Sequence, residues 1–121
     1  MRILLAEDDQ QLRDALARGL REQACEVDAV ADGDAAVAQA LGRAYDVLVL
    51  DVLMPGRDGF TVCRALKQDP RWADIPVILL SAKGQESDRV RGLALGAADF
   101  LTKPYSPADL LQRVRRHLAR V

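Results

Sequence analysis

Short apolar runs rich in branched residues alternate along the chain with longer stretches whose apolar residues recur at helical spacing. The runs fall at about residues 2–7, 27–31, 46–51, 76–81 and 99–103, and the pattern predicts strands there. The intervening spacing predicts helices over about residues 9–22, 34–43, 58–69, 86–95 and 106–119. In the first helix Leu12, Leu16 and Leu20 recur every four residues behind Asp9, which suits an N-cap. In the last, Leu110, Leu111, Val114 and Leu118 form the stripe, with Ser106 as N-cap and Pro107 at the first helical position. Strands alternating with helices of this length imply right-handed crossovers and a parallel sheet covered on both faces. Val47–Leu50 and Val77–Leu80 are apolar throughout, as expected of central strands buried on both sides.

The expected fold is therefore α/β, a doubly wound (βα)5 parallel sheet of five strands in the flavodoxin-like order 2-1-3-4-5. A chain of 121 residues is long enough for one core and too short for a second, so residues 1–121 read as one domain. The formal net charge of −1 gives no global electrostatic reason to bind nucleic acid or membrane. After Met1-Arg2 the chain runs straight into a short strand, without an apolar stretch of signal or transmembrane length. Cys25 and Cys63 lack metal-type spacing and read as reduced core residues of a cytosolic protein. His117, the sole histidine, is expected at the surface near a basic helix end.

The candidate chemistry collects where the strands end. The first run, Ile3-Leu4-Leu5-Ala6, ends in Glu7-Asp8-Asp9; the third ends in Asp51, with Met54-Pro55-Gly56 following; the fourth ends in Ser81; the fifth ends in Lys103-Pro104. Singly these residues are bland: a helix N-cap, loop acids, a turn lysine. In the order 2-1-3-4-5, however, strands 1, 3, 4 and 5 bring their carboxyl ends to one crevice. Acids held close together repel one another, and an oxygen-only set suits Mg²⁺. A lysine and a hydroxyl then fit the remaining oxygens of a phosphoryl group, and Asp51 is a plausible nucleophile forming an aspartyl-phosphate.

These segments resemble the receiver domain of bacterial two-component response regulators. The resemblance spans essentially the whole chain and rests on four stretches: Leu4-Leu5-Ala6-Glu7-Asp8-Asp9, Asp51 through Gly59, Leu80-Ser81-Ala82, and Gly96 through Pro104. It implies that Asp51 accepts a phosphoryl group from the phosphohistidine of a histidine kinase or phosphotransfer protein. It further implies Mg²⁺ held by Asp8, by Glu7 largely through water, by Asp51 and by the Leu53 backbone carbonyl. Ser81 matches the switch hydroxyl, Lys103 the lysine that pairs with the phosphoryl group, and the Lys103–Pro104 bond is expected to be cis. Ala82 would leave room for the phosphoryl group and offer a backbone N–H. Phe100 matches the switch aromatic, which is often tyrosine, and is expected to rotate inward when Ser81 moves. Leu53 and Lys83 stand where the family tunes the lifetime of the acyl phosphate.

Two enzyme or carrier readings fit less well. A haloacid-dehalogenase-type phosphatase has a second aspartate two residues after the nucleophile, where this chain has Leu53. A flavodoxin-type carrier needs a phosphate loop where Glu7-Asp8-Asp9 would repel phosphate. A degenerate receiver that only docks proteins is the alternative within the fold, although neither the acids nor the lysine is missing. The expected output is the helix 4–strand 5–helix 5 face, carrying Asp88, Arg89, Arg91, Asp109, Arg113, Arg115 and Arg116. Parts of it are similar to receivers of winged-helix transcription factors, which implies a homodimer on phosphorylation in which Arg89 and Asp109 pair. Ala94 and Ala98 stand where those receivers often carry acids. The stretch Lys67 through Pro76 is instead similar to receivers coupled to cyclic-dinucleotide synthesis. An effector, fused or separate, is expected, and kinase choice is assigned to Gln10, Gln11, Arg13, Asp14, Arg18 and the loop after Lys103.

Overall fold

A computed structural model describes residues 1–81, 86–103 and 105–118. Five strands, β1 (Arg2–Ala6), β2 (Glu26–Val30), β3 (Val47–Asp51), β4 (Val77–Ser81) and β5 (Asp99–Thr102), form one sheet in the order β2-β1-β3-β4-β5. Every neighbouring pair is parallel. The helices α1 (Gln10–Glu22), α2 (Gly33–Gly42), α3 (Gly59–Lys67), α4 (Glu86–Ala94) and α5 (Pro107–Leu118) complete the (βα)5 pattern that the sequence predicts.

Alternation along the strands sorts the core into two layers, because successive side chains of a strand point to opposite faces. Leu4, Leu48, Leu50, Leu79 and Phe100 face α2 and α3 on one side. Ile3, Leu5, Val49, Ile78 and Leu80 face α1 and α5 on the other. All five residues of β3 and of β4 are buried, which is why both read as continuous apolar runs. Cys25 and Cys63 are free and buried, as expected.

The caps predicted at Asp9 and Ser106 form. Asp9 accepts from the Leu12 N–H at 3.1 Å, and Asp58, a cap the sequence reading did not name, accepts from the Thr61 N–H at 2.8 Å. At α5, Ser106 Oγ accepts from the Asp109 N–H while Asp109 accepts from the Ser106 N–H, a reciprocal capping box. One element is additional: a 3-10 turn at Pro70–Trp72, which buries Trp72 and lets its indole N–H donate to the Ala40 carbonyl.

His117 departs from expectation. Its Nε2 lies 2.9 Å from Asp99 Oδ2, and only 10% of its side chain is exposed. The turn of α5 that carries it faces the start of β5, so the basic helix end is not uniformly solvated. Among the described residues no helix is long and apolar enough to cross a membrane.

Candidate functional site

Register places the candidate residues side by side. Ala6 pairs with Leu50, Asp51 with Leu80, and Ser81 with Thr102, so four strand ends finish at one level. The Lys103 N–H donates to the Ser81 carbonyl at 2.9 Å, extending the β4–β5 pairing by one residue and holding the lysine over the crevice. On the other side, the Glu7 N–H donates to the Val30 carbonyl.

Glu7, Asp8 and Asp51 each present a carboxylate oxygen within 4.8 Å of the other two. Glu7 is wholly buried and Asp51 nearly so, while Asp8 is exposed at the rim. Burial pushes the Glu7 carboxyl up to about 8, and the neighbouring Asp51 carboxylate pushes it the same way. Lys103 Nζ stands 3.8 Å from Asp51 Oδ2 and 4.0 Å from Glu7 Oε1, which is ion-pair range but too long for hydrogen bonds. The other Asp51 oxygen, Oδ1, accepts from the Leu53 N–H at 3.2 Å, which leaves Oδ2 directed toward the lysine.

This donor set fits a hard divalent cation. It is made only of oxygen, it draws on two strand ends, and it includes Glu7 Oε1, a buried oxygen without a hydrogen-bond partner. Arg13 supports the loop that carries the acids: its guanidinium donates to the Glu7 carbonyl at 2.9 Å and reaches that of Asp8 at 3.4 Å. This backbone tie was not evident from the spacing, because it joins a helix side chain to carbonyls six and five residues earlier, in the loop before the helix.

Ser81 is buried, and its hydroxyl lies 3.4 Å from Asp88 Oδ2 on α4. Asp88, expected only as part of a charged helix face, therefore reaches the site. A cleft between α4 and the loop after β3 is lined by Leu53, Asp58, Phe60, Ser81, Asp88 and Arg91. Its wall is stiffened by the Arg91 guanidinium, 4.3 Å above the Phe60 ring. Leu53 is itself 70% exposed at the mouth.

Phe100 is already buried, where the sequence reading has it turning inward on switching. Gly92 gives the reason. A Cβ there would run into Leu79 Cδ1, with the Phe100 and Phe60 rings at ordinary contact distance, so its absence lets α4 lie low over this layer. Gly59 is a second silent requirement, since a Cβ there would collide with the Asp51 carbonyl oxygen as α3 starts. Ala82, Lys83 and Pro104 lie outside the described residues, as do residues 119–121 and the side chain of Leu118.

The model of the response regulator receiver domain family matches residues 3–115. The chain is 47% identical over 115 residues to the transcriptional regulatory protein TcrA of Mycobacterium tuberculosis, covering 95% of this chain and 45% of that protein. It is 41% identical over 119 residues to the phosphate regulon transcriptional regulatory protein PhoB of Rhizobium meliloti, covering 98% and 52%. It thus spans about half the length of these relatives. Among solved structures, the receiver domain of the Francisella response regulator 1452 superposes with a TM-score of 0.91 at 31% identity, covering 98% of this chain and 97% of that one.

Proposed function

The chain belongs to the receiver-domain family of two-component response regulators, and on that premise we propose that Asp51 is its phosphoacceptor. The observation that carries this reading is the pairing of Asp51 Oδ2 with Lys103 Nζ at 3.8 Å, beside the carboxylates of Glu7 and Asp8. Asp51 Oδ2 attacks phosphorus on a phosphohistidine whose other ring nitrogen carries a proton; the O–P bond forms as the N–P bond breaks, the N–P electron pair stays on the ring, and neutral imidazole leaves.

Glu7, Asp8, Asp51 and the Leu53 carbonyl would hold Mg²⁺. When bound, it supplies charge neutralisation at the phosphoryl oxygens. The chain's own residues do the rest. Lys103 approaches across the gap to meet the phosphoryl group, and Arg13 keeps the acidic loop in place. The Leu53 N–H fixes which Asp51 oxygen is presented. The family likeness gives the phosphoryl oxygens one further donor, the backbone N–H of Ala82, which lies outside the described residues.

The switch begins at Ser81. In the unmodified protein its hydroxyl is engaged by Asp88, and after transfer it turns toward the phosphoryl group and releases α4. Phe100, buried in the unmodified protein, is the aromatic whose packing under α4 responds when Ser81 turns. The affected surface is α4–β5–α5, where Val90 and Leu93 are exposed. We assign it to homodimerisation and control of a transcriptional effector, in line with the names of TcrA and PhoB. A sensor histidine kinase or phosphotransfer protein is the donor. Residues 1–121 act as one receiver unit.

Phosphorylation with acetyl phosphate and Mg²⁺, followed by size-exclusion chromatography, tests the output. A dimer that appears only with the Asp51 adduct supports it; an adduct that stays monomeric and leaves α4 unmoved contradicts it.

A further inference from the structure

Two buried side-chain polar atoms among the described residues have no hydrogen-bond partner, and both belong to this end of the sheet: Glu7 Oε1 and the Tyr105 hydroxyl. Tyr105 lies two residues beyond Lys103, whose Nζ is 4.0 Å from that same Glu7 oxygen. Its ring packs with Leu12 against the layer formed by α1 and α5. A phenylalanine would serve that packing equally well, so the buried hydroxyl calls for a separate reason.

The surroundings supply one. The Tyr105 phenol is held well above its ordinary range, first by burial and then by the charges of Glu7 and Asp51. It therefore stays a neutral O–H donor. Glu7 has complementary needs: its Oε2 accepts from the Asp9 N–H at 3.2 Å, and its Oε1 accepts from nothing. A buried water requires two or more polar partners. Tyr105 O–H, Glu7 Oε1 and Lys103 Nζ all belong to this end of the sheet, the last two 4.0 Å apart.

We propose that Tyr105 is a positioning residue for the acidic site, its hydroxyl reaching Glu7 Oε1 through one shared water and fixing that carboxylate for a divalent cation. The inference rests on the receiver reading. It makes Tyr105 part of the support of the metal site, with Asp9 holding one oxygen of Glu7 and Tyr105 the other. Groups that orient a ligand in this way contribute to affinity although they never touch the ion.

The test uses the full chain and its Tyr105→Phe variant, which keeps the ring. Tyr45→Phe is the control, since the Tyr45 hydroxyl donates to Asp28 at 2.6 Å and serves no acid of the site. Mg²⁺ binding is measured by calorimetry and by the near-ultraviolet difference spectrum of tyrosine. Tyr105→Phe is expected to bind Mg²⁺ roughly tenfold more weakly and to lose the tyrosine difference signal, which Tyr45→Phe retains. Without metal it should melt no higher than wild type, and excess Mg²⁺ should restore its phosphorylation. Equal affinity in wild type and Tyr105→Phe would overturn the inference and leave the receiver reading intact. So would a higher metal-free melting temperature, the mark of a hydroxyl buried without any partner. A wild-type protein that took up no Mg²⁺ would overturn both together.

Discussion

Lys103 Nζ stops 3.8 Å from Asp51 Oδ2, reaching across the end of β4, although the two groups carry opposite charge. The same amine is 4.0 Å from Glu7 Oε1, so it stands between two carboxylates and bonds closely to neither. A lysine placed this way costs little to move and lies where negative charge would arrive on Asp51. Replacing it with Ala should leave the fold intact and slow phosphorylation by acetyl phosphate by about 10²-fold, the usual cost of losing one preorganised charge donor. Timed intact-mass measurement would follow this, and an unchanged rate would separate Lys103 from the chemistry.

Ser81 and Asp88 give the second prediction. Asp88→Ala removes the carboxylate 3.4 Å from the Ser81 hydroxyl. Amide chemical shifts of α4 in the unphosphorylated variant should move partway toward those of the phosphorylated wild type. Ser81→Ala should still accept the phosphoryl group but show a diminished shift. Spectra of Asp88→Ala that coincide with unmodified wild type would exclude Asp88 from the switch.

The third prediction concerns pH. The folded-state pKa of Glu7 is raised from 4.5 to about 8, so its contribution to stability is fully present below about 4.5 and is lost as pH rises through 8. In metal-free protein, stability should therefore fall over that window, by roughly 1–3 kcal/mol from this group. Glu7→Gln should flatten the slope, leave metal-free protein more stable than wild type at pH 8, and weaken Mg²⁺ binding. Denaturant midpoints at pH 5 and pH 8 decide it: equal slopes in the two proteins would refute this account of Glu7.

Gly59 gives a stability prediction that touches the site. Gly59→Ala forces a Cβ against the Asp51 carbonyl oxygen, and α3 must shift. Overpacking of this kind costs about 1–3 kcal/mol, readable as a lower melting temperature. Because the displaced backbone belongs to Asp51, phosphorylation should slow as well.

What the sequence disclosed depends on how local each feature is. The strands, the helices and the caps at Asp9 and Ser106 were legible because periodicity and capping act within a few residues. The acids, Ser81 and Lys103 were legible because parallel topology collects strand ends at one edge. The contacts that escaped prediction join distant positions. His117 meets Asp99 eighteen residues earlier in the chain, and Trp72 bonds the Ala40 carbonyl thirty-two residues away. Gly92 is unremarkable in the sequence until it is seen to let α4 lie close over Leu79 and Phe100. Asp88 reads as one charge on a helix face until α4 is packed beside β4. Tyr105 shows a hydroxyl in the sequence, but the absence of any direct partner is a fact of packing alone.

The most direct measurement is the intact mass of the purified protein after incubation with acetyl phosphate, with and without Mg²⁺, beside Asp51→Asn. One added phosphoryl group that requires Mg²⁺ and is lost in Asp51→Asn is the predicted result. A folded wild-type protein that gains no mass, or an Asp51→Asn variant that gains the same mass at the same rate, would contradict the assignment of Asp51 as the phosphoacceptor.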